Sequence, residues 1–371
     1  MVYHRKPGTE YVSKKRLEAE ALSRYQAVTK RIEDELGQPA LEAAGRIRAG
    51  THTIDDVFLY GNRLKKVFVG TGTEQVLRHN WPGIIKYSDS ASNAAPFLVS
   101  DLETSISTGT TYSNAVHGLS VIDDRFSEKL VDVFRGTLYG KKADGSYNVA
   151  FPALLTALWM LKDLRPTTYK NSVNAAKWTA LLGEAVNANE DIGFRIDIRE
   201  LFIYALVQNI GMLDPEMPLE VPGKVFSAEE KSSLAYHGPK GIQVLDELGF
   251  NKTYALANVV GFHSSPRQYQ FTDFEQLIAA EIALNSGAES FEGMFFKREH
   301  RPKQMTHLEV VGEIGGQFFT EKELAELQAV FRKGYTCSAK LARKYPFLPA
   351  FQRIRLVVGD LDKQLEQQRK H

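Results

Sequence analysis

Residues 201–263 read LFIYALVQNIGMLDPEMPLEVPGKVFSAEEKSSLAYHGPKGIQVLDELGFNKTYALANVVGFH. An apolar run with helical character closes on Gln208-Asn209-Ile210-Gly211. Pro222-Gly223-Lys224 follows, and then Phe226-Ser227-Ala228-Glu229-Glu230 reads as a turn and a helix start. His237-x-x-x-Gly241 comes next, and the stretch ends on Phe262-His263. Helices separated by short polar turns, with hardly any β-branched alternation, predict an α fold here.

The same pattern extends on both sides. From Phe151 onward nearly everything reads as helix. Residues 150–161 (AFPALLTALWML) are too short for a membrane span, which needs roughly 18 apolar residues, and read as a buried helix. Near the N-terminus, Leu17, Ala21, Leu22, Tyr25, Val28 and Ile32 form one narrow stripe on a charged helix. That stripe suits a surface helix packed on its own domain, or a helix for dimerisation or a partner. Thr53 is placed to cap a helix whose first turn holds Asp55 and Asp56, where the helix dipole favours acids. A short β element is a candidate at residues 65–69. Lys141-Lys142-Ala143-Asp144-Gly145-Ser146 is a turn-rich break, so a domain boundary is expected between about residues 136 and 150. The predicted organisation is mainly α: an N-terminal mostly helical domain (1–145) for sensing or partner binding, a helical bundle (146–345), and a C-terminal helix with a polar tail (346–371).

Composition narrows the functional classes only slightly. The 371 residues are 43% hydrophobic and 25% charged, with a formal net charge of +1, so there is no whole-chain argument for nucleic acid or an acidic surface. Basic runs such as Lys14-Lys15-Arg16 lack interleaved aromatics and read as solvated faces. The single cysteine, Cys337, excludes an internal disulfide and a cysteine zinc cluster. No apolar leader segment is apparent, and a cytoplasmic protein without a membrane span is expected.

Several motifs together resemble the HD-GYP branch of the HD phosphohydrolases. In that family the apolar helix ends in His-Asp-Ile-Gly-Lys, the linker reads Lys-Pro-Gly-x-Leu-Thr-x-Glu-Glu, the next helix carries His-Pro-x-x-Gly, and the following one ends in His-His-Glu. The resemblance covers about residues 150–335, and Gly315-Gly316-Gln317-Phe318 looks like the family's turn before its last helix. The Gly-Tyr-Pro loop has no counterpart, because His263 is followed by Ser264-Ser265-Pro266-Arg267-Gln268-Tyr269. An HD-type helical bundle is what the resemblance implies for the fold.

It also implies where a site would lie. The family's first histidine follows a Thr-x-x pattern, matched by Thr168-Tyr169-Lys170-Asn171-Ser172, so Asn171 stands in its place. Gln208 and Asn209 stand for the His-Asp pair, His237 is retained, and Phe262 and His263 stand for the His-His pair. A helix over residues 276–284 would place Glu281 at the last acidic position. HD chemistry needs a carboxylate bridging two divalent metals to activate a hydroxide, and neutral amides cannot supply that bridge. If any metal were kept, His237, His263 and Glu281 would hold it. Otherwise the positions form a hydrogen-bonded polar core or a ligand pocket. Arg267, Lys297, Arg298 and Arg301 would meet phosphates there, and Phe295-Phe296 would offer a stacking face.

The resulting expectation is a degenerate HD-GYP-like module. It would bind or scaffold in cyclic di-GMP-related signalling, with protein partners and a cyclic dinucleotide or other nucleotide as ligand. No cofactor, nucleic acid or catalytic residue is assigned. A divergent metal-dependent phosphohydrolase is the alternative. Gly70-Thr71-Gly72-Thr73, the histidines 52, 79 and 117, and Cys337 carry no motif.

Overall fold

A computed structural model describes residues 14–69, 151–219, 226–250, 254–270, 275–295, 305–332 and 337–369. Every regular element among them is helical. In chain order these are α1 (Lys14–Leu36), α2 (Gln38–Ala49), α3 (Ile54–Val69), α4 (Phe151–Leu164), α5 (Pro166–Asn187), α6 (Ile198–Val207), α7 (Ala228–Leu234), α8 (His237–Glu247), α9 (Tyr254–Phe262), α10 (Gln276–Phe295), α11 (His307–Phe318), α12 (Glu321–Arg332), α13 (Ala339–Lys344) and α14 (Leu348–Arg369). The mainly α fold is therefore as expected, and the expected boundary at 136–150 lies outside the described residues.

α5 is the axis of the bundle. Pro166 starts it at a position where a missing N–H costs nothing. It then buries residues on all sides, Trp178 and Leu182 among them, against α4, α6, α10 and α14. Trp178 meets Phe291 of α10 edge-on, with ring centroids 4.7 Å apart. One apolar core is continuous from Ile32 of α1 to Val357 of α14. The first helices and the last thus share it with the bundle. Residues 153–161 of α4 are all buried, and no helix of the described residues is long and apolar enough to cross a membrane.

α1 lies on its own bundle through its narrow stripe. Ile32 is buried, Tyr25 and Val28 pack against the core, and Tyr25 lies 6.0 Å from Trp159 of α4. Residues 65–69 are helix, not strand. Leu64, Val67 and Phe68 recur at helical spacing and are buried, and Phe68 meets Trp159 edge-on. At the start of α3 the roles differ from the expected cap. The Thr53 backbone N–H and hydroxyl both donate to the Asp56 carboxylate. Asp56 also accepts from Arg46 at 2.5 Å, which holds its carboxyl down at about 2. Arg48 and the Tyr60 hydroxyl both donate to Asp163 of α4, at 2.7 and 2.8 Å. This polar seam ties α2 and α3 to α4.

Near the expected site the backbone winding changes. α6 tightens at its end into a 3₁₀ segment, Gln208–Leu213. The glycine of Gln208-Asn209-Ile210-Gly211 then has a steric reason. A Cβ on Gly211 would fall 1.8 Å from the His237 carbonyl oxygen and 2.5 Å from the Gly241 nitrogen. A Cβ on Gly238 would fall 2.6 Å from the Gly261 carbonyl oxygen. Backbone thus touches backbone from the 3₁₀ segment through α8 to α9. Ser227 and Glu230 form a reciprocal capping box at the start of α7, as the turn-and-helix reading of that stretch requires. Lys240 ties α8 to buried Asp214 at 3.4 Å. Gly315-Gly316-Gln317-Phe318 differs from the expected turn, since it forms the last turn of α11.

Candidate functional site

The close backbone contacts carry His237, the first residue of α8, and His263, just past α9, to one point. Their Nε2 atoms lie 2.7 Å apart, and the rings meet nearly at right angles with centroids 4.6 Å apart. Each Nδ1 faces a backbone carbonyl three residues earlier, Leu234 for His237 and Val260 for His263, the latter at 2.7 Å. A carbonyl only accepts, so both Nδ1 atoms carry the hydrogen. The Ser264 hydroxyl donates to the Ala235 carbonyl at 3.0 Å and locks the end of α9 beside the start of α8.

Both histidines are buried. Burial foremost, and then the neighbouring His237, push the His263 imidazole down to about 4, while Glu289 opposes the shift. A Glu289 carboxylate oxygen stands 3.6 Å from His263 Nε2. One ligand atom each from His237, His263 and Glu289 lie within 4.8 Å of one another.

This acid is not the one expected from the sequence. Glu281 lies eight residues earlier on α10, about 12 Å along the axis at 1.5 Å per residue, and is not part of the histidine cluster. It is buried toward the start of α6. Desolvation, with the charges of Glu200 and Asp197 behind it, pushes its carboxyl up to about 8. Between the two acids, Asn285 accepts from Thr179 of α5 at 3.3 Å. Glu281, Asn285 and Glu289 recur at four-residue spacing on a largely apolar helix. That stripe is the signal that could have singled out Glu289.

The amides fall into place unevenly. Asn209 donates to Ser172 of α5 at 3.1 Å, next to half-buried Asn171. Gln208 is fully buried, and neither its carbonyl oxygen nor its amide nitrogen has a hydrogen-bond partner among the described residues. The amides therefore do not form a polar core closed on itself. Phe262 is half-buried and lies against Tyr269 at 5.2 Å.

A bridged metal pair does not fit these residues, because Gln208 and Asn209 bring no charge. One divalent cation does fit, since two imidazoles and a carboxylate are an ordinary three-ligand set. Of the arginines expected near phosphate, Arg267 is exposed. Phe296, Lys297, Arg298 and Arg301 lie outside the described residues, as do Pro222-Gly223-Lys224, residues 70–73, His79 and His117. The side-chain surroundings of Phe295 are likewise not described. Cys337 is buried, and burial pushes its thiol up to about 11, the opposite of an activated nucleophile. Comparison with protein-family models, with curated proteins and with solved structures finds no match for this chain.

Proposed function

We propose that this chain is a non-catalytic helical module of the HD-GYP type. On this reading it binds or scaffolds in cyclic di-GMP-related signalling and does not hydrolyse a phosphodiester. The observation behind the reading is the pair Gln208 and Asn209, neutral amides buried at the end of α6 where the resemblance places the metal-bridging His-Asp. Without an anion there, two cations a few ångströms apart repel each other unscreened, and the activated hydroxide is lost. The unpartnered Gln208 amide supports a binding role, because a buried donor and acceptor lacking partners are groups that a ligand can satisfy. The test pairs calorimetric titration of the full chain with cyclic di-GMP and a hydrolysis assay with manganese and with iron. Expected is no hydrolysis above buffer, with binding of the nucleotide weakened by Gln208→Leu. Turnover that disappears in His237→Ala would replace this reading with a divergent metal-dependent phosphohydrolase.

A further inference from the structure

The histidine pair poses a problem that the chain's own groups do not solve. Both imidazoles spend their Nδ1 hydrogen on a backbone carbonyl. Each neutral ring therefore presents a lone pair, not a hydrogen, at Nε2. These two lone pairs face each other across 2.7 Å in a buried setting. Two acceptors at that distance repel unless something positive lies between them. The nearby side chain is a carboxylate, Glu289, whose oxygen lies 3.6 Å from His263 Nε2, and it too attracts a cation.

We propose that His237 Nε2, His263 Nε2 and the Glu289 carboxylate hold a single divalent cation of the zinc class, which pins α8, α9 and α10 together. The geometry alone brings these three groups together, and the carboxylate, unlike the two histidines, lies outside the set that the resemblance implies. The donor set is borderline in softness, which suits zinc over magnesium or calcium. Three other features fit. The backbone carbonyls of Leu234 and Val260 fix the orientation of both rings from behind, as the outer partners of metal-bound histidines do. Glu289 keeps a side-chain exposure of 28%, so the carboxylate edge of the cluster meets solvent. Three protein ligands leave one of four tetrahedral positions open. On binding, the two Nε2 atoms would move from contact to about 3.3 Å apart, the spacing set by zinc–nitrogen bonds of about 2.05 Å. Swinging each ring slightly about its carbonyl hydrogen bond achieves this.

The test strips the full chain with EDTA and titrates it with zinc, following heat release and melting temperature. Magnesium is run in parallel, and the visible d–d bands of the cobalt-loaded protein serve as a second readout. Expected is one zinc per chain, a melting temperature that rises with zinc concentration, and four-coordinate cobalt bands. Glu289→Gln, on a partly exposed side chain, should fold with an unchanged metal-free melting temperature and lose zinc affinity by more than about tenfold. His237→Gln, should it fold, loses the cobalt bands. Zinc binding that Glu289→Gln leaves untouched overturns the proposal. So does a wild-type chain that takes up no zinc yet gains stability on acidification, because a shared proton then fills the gap. Cyclic di-GMP binding, present or absent, leaves this result unaffected, so the two readings stand or fall separately.

Discussion

Two regions of this molecule set polar side chains against one another between helices, one at the surface and one in the interior, and they treat them in opposite ways. Where α2 and α3 meet α4, Arg46 faces Asp56, while Arg48 and the Tyr60 hydroxyl share Asp163. Each of these groups has a partner of opposite character, and the seam works as a fastener. At the centre of the bundle, among the described residues, Gln208 has no partner, Glu281 has an oxygen without one, and two imidazole lone pairs confront each other. Leaving a buried polar group unpaired costs about 1–3 kcal/mol, so such groups persist only where something other than stability retains them. The seam is built for holding, and the centre leaves polar groups for which the described residues supply no partner.

The largest expected effect tests that cost directly. The Glu281 carboxyl is raised to about 8 in the fold, against an ordinary 4.5 in the unfolded chain. Its contribution to stability is therefore fully present below about pH 4.5 and is lost as pH rises through about 8. The loss is at most about 5 kcal/mol, at 1.36 kcal/mol per pH unit. Glu281→Gln mimics the protonated form and should flatten this slope in urea unfolding followed from pH 5 to 9. An identical slope in the variant would place the carboxyl in water and erase the contrast.

Next in size is Gly211→Ala. The added methyl meets backbone atoms of His237 and Gly241, which cannot rotate aside as a side chain would. Destabilisation of about 3 kcal/mol or more is expected by denaturant titration. A loss under about 1 kcal/mol would show that α8 and the 3₁₀ segment lie further apart than described.

The amides sharpen the comparison by differing from each other. Asn209→Leu strands the Ser172 hydroxyl and should cost about 1–3 kcal/mol. Gln208→Met removes two unpartnered groups and should be neutral or stabilising in the ligand-free chain. Equal costs at both positions would mean that Gln208 is satisfied after all. The smallest effect belongs to the seam. Arg46→Ala should lower the melting temperature slightly at neutral pH. Because Asp56 is held at about 2 by Arg46, the benefit is present above its ordinary value near 3.8 and fades as pH falls toward 2. A difference between variant and wild type that stays constant down to pH 2 would refute the pairing.

Much of this was legible in the sequence, and the failures have physical causes. Helices announced themselves through apolar periodicity, and Ser227 with Glu230 marked a helix start that the structure closes as a capping box. The glycines 211 and 241 stood out as punctuation, although only the backbone approach explains them. Residues 65–69 misled because β-branched and aromatic residues at the end of a helix look like a strand until α4 is seen to bury them. The resemblance points to Glu281 and gives no sign of Glu289, because position along a long helix is not written in local sequence. Which turn of α10 faces the histidines depends on how α9 and α10 dock, a tertiary fact. The tautomers of His237 and His263 were likewise out of reach, since they are set by carbonyls on the preceding turn.

The 3₁₀ segment Gln208–Leu213 gives the site a mechanical reach. Runs beyond three or four residues of this winding are uncommon, and this one has six. At about 2.0 Å per residue it spans about 3 Å more than the same residues wound as α-helix. Its near end holds Gln208 and Asn209, and its far end, the Leu213 carbonyl, is gripped by His52 at 2.8 Å from the loop between α2 and α3. The segment is thus a ruler with one end among the bundle's unpaired polar groups and the other in the N-terminal helices. Rewinding it as α-helix would bring those two ends about 3 Å closer.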